Sequence, residues 1–301
     1  MLLQRFCFAA LLASGDLAAQ VLNTAPAYLP GQQLELTLVM SVEDARDNPP
    51  KKTVETPVTL RVVRKSTAGT NLDWVAGRSV GTGAAERADP VLHMVETIFE
   101  DLRLTVHLDA EGRYQGIRNE QELRAKIQEF LLLLIPQSMA KIRDAAERSR
   151  AEAAMSRILT PEALLSAARK EIDLFFGLSG LPLEVGQPLR IMSSALNPFG
   201  ARGTLEVEME ITPINADVAR GEAIVEFRQE FDPGSADAVL PGASLATEPE
   251  ADPAGVGLVL TDTGEYMLDL SSGRVKQARH VRTIRQNGEA VRVETTEITV
   301  R

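Results

Sequence analysis

The stretch QQLELTLVMSVE, Gln32 to Glu43, alternates so regularly that a half-buried β-strand is the one regular structure that fits it. Leu34, Leu36, Leu38, Met40 and Val42 share one face, while Glu35, Thr37, Ser41 and Glu43 take the other, because successive strand side chains point to opposite sides of a sheet. The pattern returns in TLEVEMEIT, where Leu205, Val207, Met209 and Ile211 oppose Glu206, Glu208 and Glu210. It returns again in GEAIVEFRQEF, with Ala223, Val225, Phe227 and Phe231 on one side. Long strands with one solvated face predict large antiparallel sheets.

A second strand follows over Thr53 to Arg64, with Val54, Val58, Leu60 and Val62 in phase. Pro57 lacks an N–H for the ladder, which predicts a sheet edge or a bulge there. LDWVAGRSV continues the sheet, and its Trp74 reads as a core anchor. The chain closes with three more strands joined by SSG and by Gln286-Asn287-Gly288, a strong hairpin signal.

Helical spacing interrupts the strands. Asp89-Pro90 opens an amphipathic helix with Val91, Leu92, Val95, Ile98, Phe99 and Leu102 on its apolar side. Asn119 is placed to cap a helix over residues 120–135, and residues 137–158 predict a largely solvated one. Thr160-Pro161-Glu162 starts a third, with Gly177 as its stop. The hairpin LTVHLDAEGRYQGIRN, Leu104 to Asn119, is echoed by YMLDLSSGRVKQARHV, Tyr266 to Val281, with Val106 matched to Leu268, Leu108 to Leu270, Gly112 to Gly273 and Arg113 to Arg274. The expected fold class is therefore α+β. It has an N-terminal β-rich half with one packing helix over 20–118, a helical segment over 119–178, and a C-terminal β-rich half over 179–301. The two halves are expected to be a loose duplication. Residues 232–257, rich in Pro, Gly, Ala and acid, predict a disordered loop.

The opening residues MLLQRFCFAALLASGDLAAQ have the layout of a secretory signal peptide, with cleavage expected near Ala19 and a periplasmic or secreted destination. Removing 1–19 also removes Cys7, the one cysteine, and with it any disulfide, Cys metal site or Cys nucleophile. The longest later apolar run, Phe130 to Ile135, is far short of the roughly 18 residues a membrane span needs, so no transmembrane segment is expected in the mature chain. It reads instead as a buried helix end. With 32 Lys and Arg against 42 Asp and Glu, the net charge of -10 argues against nucleic acid as a partner.

No catalytic or metal motif stands out. His93, His107 and His280 lack metal-binding spacing, and the G-x-G pairs in VGTGAAE and AGVGLVL lack a third glycine and the strand-to-helix setting. The GLSG at 177–180 ends a helix, unlike a nucleophile elbow. The acidic strands carrying Glu206, Glu208, Glu210, Glu222, Glu226 and Glu230 face basic ones carrying Arg274, Lys276, Arg279, Arg282, Arg285 and Arg292, which predicts cross-strand ion pairs on a solvated face. No cofactor is implied.

The signal peptide, the long amphipathic strands, the D-x-x-G turn before a helix, LPLEVGQPL and the closing D-x-x-S-G strand pair together resemble exported bacterial proteins of unknown function. More distantly the layout is similar to periplasmic lipoprotein carriers, and that resemblance implies a curved antiparallel sheet covered by helices and holding acyl chains. The expectation is a non-catalytic binding or scaffolding module, partnered by an envelope protein or an apolar ligand. One alternative is a carrier in which Leu131, Leu134, Ile172, Phe175 and Phe176 line a sheet–helix cavity; the same residues can also close a packed core. The other is a hydrolase using carboxylates without a recognisable motif.

Overall fold

Strands from both ends of the chain meet in the middle of one antiparallel sheet. The computed structural model describes residues 20–45, 51–81, 102–140, 142–196, 204–231 and 258–301. In chain order the elements are β1 (Val21–Leu22), β2 (Gln33–Asp44), β3 (Lys51–Ser66), β4 (Gly69–Ala76), β5 (Val80–Gly81), β6 (Arg103–Leu108) and β7 (Tyr114–Ile117). Three helices follow, α1 (Glu120–Met139), α2 (Ala145–Ile158) and α3 (Pro161–Phe176). Then come β8 (Leu183–Glu184), β9 (Leu189–Leu196), β10 (Thr204–Asp217), β11 (Glu222–Phe231), β12 (Leu258–Asp269), β13 (Arg274–Gln286) and β14 (Glu289–Val300).

The main sheet runs β7-β6-β4-β3-β2-β14-β13-β12-β11-β10-β9, with β5 added beside β3, while β1 and β8 form a small separate pair. The fold is thus α+β but dominated by sheet. The two halves share one continuous sheet, joined where β14 pairs with β2 through Thr296↔Met40 and Ile298↔Leu38, and the fold is not clearly two duplicated halves. The helix expected after Asp89 and the loop expected over 232–257 lie outside the described residues.

The two echoing hairpin turns are alike because they use the same side-chain chemistry. Asp109 Oδ1 accepts the N–H groups of Glu111 at 3.0 Å and Arg113 at 2.8 Å. Asp269 Oδ1 accepts those of Ser271 at 2.9 Å and Ser272 at 3.0 Å. Gly112 and Gly273 close the turns at φ of 79° and 66°, where other residues are strained. The structural match is therefore Leu108 with Leu268 and Asp109 with Asp269, and the one-residue difference falls inside the turn. Both glycines pack against Ala25, and Ser272 O accepts the N–H of Ala27 at 2.7 Å. The turns are shape devices that grip the segment before β2.

Two local expectations are corrected, and of the edge or bulge expected at Pro57 the irregularity is found. Strand β3 is interior, and between Glu55, paired with Val80, and Val58, paired with Ala76, residues 56 and 57 oppose three residues of the neighbouring segment. The missing N–H therefore interrupts no ladder on that side. Asn119 begins α1, but its side chain turns to β6, accepting from Thr105 N at 2.9 Å and donating to Arg103 O at 2.8 Å. The helix expected over 137–158 is split: α1 continues past Pro136 to Met139, and α2 starts after Asp144, whose side chain accepts from Glu147 N at 2.7 Å. Leu131 and Ile135 of the FLLLLI run are buried while Leu132 and Leu133 are exposed. Among the described residues no helix is long and apolar enough to cross a membrane.

Helix α3 decides the interior. It forms where the sequence starts one: Thr160 Oγ1 accepts from Ala163 N at 3.1 Å and Pro161 occupies the first turn. One side of it packs on the N-terminal strands, where Phe175 meets Trp74 edge-on at 5.9 Å and Phe176 stacks on Tyr114 at 5.9 Å. Leu60, Leu72, Leu104 and Val106 complete that side of the core, each almost fully buried.

Candidate functional site

The other side of α3 faces the C-terminal strands, and here the molecule is not filled. A cavity of about 1150 Å³ separates Leu165, Arg169, Lys170, Asp173 and Leu174 of the helix from Ile191, Met209, Ile211, Phe227 and Phe231 of the sheet. Arg124 of α1 and Glu162 at the start of α3 stand at its exposed rim, 2.8 Å apart.

The sheet wall is built in rows across the strands. One row aligns Phe227, Gly264, His280 and Thr296. The next aligns Met209, Gln229, Asp262, Arg282 and Glu294. Both point inward, since side chains two residues apart share a face. The apolar row of Val225, Tyr266, Ala278 and Ile298 lies beside the first. A band of polar groups therefore crosses an otherwise apolar wall.

At the centre of the band Asp262 accepts from Arg282 Nε at 2.8 Å and Nη2 at 2.7 Å, a two-pronged pairing, and lies 3.3 Å from His280 Nε2. Side-chain exposure is 7% for Asp262 and 8% for His280, so this is a buried cluster. Burial opposes ionisation of Asp262, yet the hydrogen bonds from Arg282 and His280 outweigh it and hold the carboxyl down at about 2. The same carboxylate raises the pKa of Arg282 despite burial. From the helix, Lys170 reaches to 3.7 Å from Glu294, which is also 2.9 Å from Arg292. Burial and the charge of Arg282 push Lys170 below the usual lysine range.

Phe227 lies flat against His280, ring centres 5.9 Å apart and planes within 4°. Gly264 makes this possible, because a methyl group there would run into the Phe227 ring and the Arg279 carbonyl. Across the cavity Tyr114, beside Arg169 and Asp173, has a buried hydroxyl without a hydrogen-bond partner of good geometry. Desolvation raises its pKa above the usual tyrosine range, and the neighbouring Asp173 adds to the rise.

The five residues expected to line a cavity lie elsewhere. Leu131, Ile172, Phe175 and Phe176 are buried in the packed core with Leu134 against it, and none of the five borders this cavity. Leu131 borders a smaller pocket of about 340 Å³ between α1 and α2. That helix face is buried as its spacing implies, but its neighbours one step round the turn face the space. His107 is occupied by Asn71 at 2.9 Å and Arg118 at 2.9 Å, and His93 lies outside the described residues. The cross-strand ion pairs form on the outer face, as with Arg279–Glu297 at 3.1 Å and Arg190–Glu210 at 3.0 Å. Arg282 breaks that pattern by turning inward. Its phase is the available signal: it lies two and four residues from His280 and Ala278, in step with the buried side of β13.

Chemically the cluster can hold a polar or charged group within a half-open cavity that apolar and charged side chains line together. His280, oriented by Asp262, has the form of half of an acid–base device, but no serine or threonine hydroxyl among the described residues hydrogen-bonds to it. No group of three or more metal-binding side chains occurs among the described residues.

No protein-family model and no curated protein matches the chain. Among solved structures it is similar to lipovitellin, from a study of lipid–protein interactions, at 8% identity and a TM-score of 0.48, over 91% of this chain and 25% of that one. It is also similar to an outer membrane channel from Pseudomonas putida F1, at 9% identity and a TM-score of 0.16, over 92% of this chain and 98% of that one. A porin-like protein from Bacteroides uniformis gives 10% identity and a TM-score of 0.17, over 92% of this chain and 100% of that one. The chain spans a quarter of the length of the lipovitellin chain. Likenesses with TM-scores this low assign no function, and the cavity is the better guide to one.

Proposed function

We propose that this protein is a non-catalytic binding protein of the bacterial envelope compartment, which holds an amphipathic ligand with an apolar body between α3 and strands β9 to β13. The cavity carries this reading. At about 1150 Å³ it is somewhat larger than the roughly 300–1,000 Å³ typical of small-molecule sites. Its walls combine Ile191, Met209, Ile211, Phe231, Leu165 and Leu174 with the polar band of the sheet and with Arg169, Lys170 and Asp173 of the helix, an arrangement that suits a ligand with an apolar body and a polar end. The envelope location rests on the signal-peptide layout of residues 1–19.

The test is native mass spectrometry of the protein purified from the envelope of an expressing bacterium, followed by organic extraction. A reproducible non-covalent adduct that extracts into organic solvent is the expected result. A clean apo mass in several preparations, with no uptake of added amphiphiles, would overturn the reading.

The His280–Asp262 pair supports a second reading, a hydrolase in which His280 activates water. Turnover of short acyl esters that disappears in His280→Gln while the fold is retained would favour that reading over simple binding.

A further inference from the structure

Two polar side chains of the inner face, Gln229 and Thr296, border the cavity. Gln229 and Thr296 are each 6% exposed, and neither hydrogen-bonds through its side chain to another described residue. Nearly all buried polar groups in folded proteins are paired. Among the described residues the Tyr114 hydroxyl is the one buried side-chain polar atom without a partner, so the polar ends of Gln229 and Thr296 open to the cavity, where water or a ligand serves them.

Arg282 narrows its chemistry. Two of its nitrogens, Nε and Nη2, are satisfied by Asp262, while Nη1 makes no hydrogen bond within the described protein. Asp262 already serves Arg282 twice and His280 once. Glu294 stands closer to Arg292, at 2.9 Å, than to Lys170, at 3.7 Å. The carboxylates at hand are thus engaged, and the outer edge of Arg282 and the ammonium of Lys170 still lack a close acceptor. Lys170 holds its proton less firmly because of burial and the charge of Arg282, and an anion between the two cations relieves both costs.

Resting on the cavity-binding reading, we propose that the site selects amphiphiles with an anionic head, a carboxylate or phosphate, seated between Lys170 of α3 and Arg282 of β13. Head oxygens accept from Arg282 Nη1 and Lys170 Nζ. Charge-assisted hydrogen bonds of this kind are roughly twice as strong as neutral ones. A neutral or cationic head supplies no equivalent acceptor.

The experiment is calorimetric titration of the protein, stripped of extractable ligand, with laurate, dodecyl phosphate, dodecyl maltoside and dodecyltrimethylammonium below their micelle concentrations, and with inorganic phosphate alone. Laurate and dodecyl phosphate are expected to bind at least about tenfold more tightly than the maltoside, about 1.4 kcal/mol, with the cation weakest and inorganic phosphate undetected. Lys170→Gln, a half-exposed position, should erase most of that preference. Because Arg282→Gln alone strands Asp262 and threatens the fold, the companion variant replaces the pair together, Asp262→Leu with Arg282→Met, and should behave like Lys170→Gln. Equal affinity for all four heads would overturn the anionic-head proposal and leave cavity binding standing. Failure of every amphiphile would overturn both, and phosphate bound as tightly as dodecyl phosphate would overturn the amphiphile part.

Discussion

The two sides of α3 meet the same sheet with opposite results. Toward the N-terminal strands, Phe175 and Phe176 close on Trp74, Leu104 and Val106 with ring-to-ring contacts. Toward the C-terminal strands, Leu165, Arg169 and Lys170 stand off from a wall that carries Gln229, Asp262, His280 and Arg282. Both walls come from strands with the same alternation. The difference lies in what occupies the inward phase: apolar side chains interdigitate to crystal-like density, whereas an inward band of polar groups, faced by Arg169, Lys170 and Asp173, keeps hydrated groups that oppose such closure. An unfilled space beside a buried charge cluster is the outcome.

The sharpest way to break this comparison is to truncate one large residue on each side. Trp74→Ala should cost about 3–5 kcal/mol in urea unfolding, while Ile191→Ala, bordering space that is already empty, should cost under about 1 kcal/mol because few contacts are lost; equal losses would mean the two sides are packed alike. Next, Asp262→Ala leaves Arg282 buried without its carboxylate and should cost about 3–5 kcal/mol, whereas Asp262→Leu with Arg282→Met should be near neutral. If the single and double variants unfold at the same urea concentration, Asp262 and Arg282 do not form a buried, mutually dependent pair. Gly264→Ala should cost about 1–3 kcal/mol by forcing the Phe227 ring away, and the shift should be visible in the imidazole proton resonances of His280.

A further effect is a dependence on acidity. Asp262 is held down from 3.8 to about 2, so its contribution is complete above the ordinary carboxylate range and is lost as pH falls through about 2. Roughly 2 kcal/mol is involved. Urea titrations between about pH 5 and pH 2 should show this slope in the parent protein and lose it in the Leu–Met double variant; a slope that persists there must come from other carboxylates.

Much of the framework is legible in the sequence. Strand phase in β2, β10 and β11, the cap and proline that start α3, Trp74 as an anchor and the two D-turns all follow from local chemistry, and local chemistry is what a sequence displays. The joining of the two halves is not legible, because strand order depends on which edges meet and nothing in β2 or β14 alone names its neighbour. The cavity is hidden for a subtler reason. Arg282 belongs by composition to a basic strand and by phase to the inner face, and the charge of its neighbours masks the phase. The separation of the core residues Ile172, Phe175 and Phe176 from the cavity residues Arg169, Lys170 and Asp173 depends on which side of one helix faces which half of the sheet, a tertiary fact with no local signature.

The pairing of β14 with β2 also governs the order of events in folding. Thr296 must find Met40 and Ile298 must find Leu38, partners separated by most of the chain, before the sheet is continuous. Contacts of such sequence separation are slow to form, because chain entropy is spent before they stabilise anything. Until the chain has been made as far as Val300, β2 and β13 each keep an unpaired edge, and such edges invite strands from other molecules. The seam is therefore the point at which a partly made chain is most open to aggregation, and its closure is what ends that exposure.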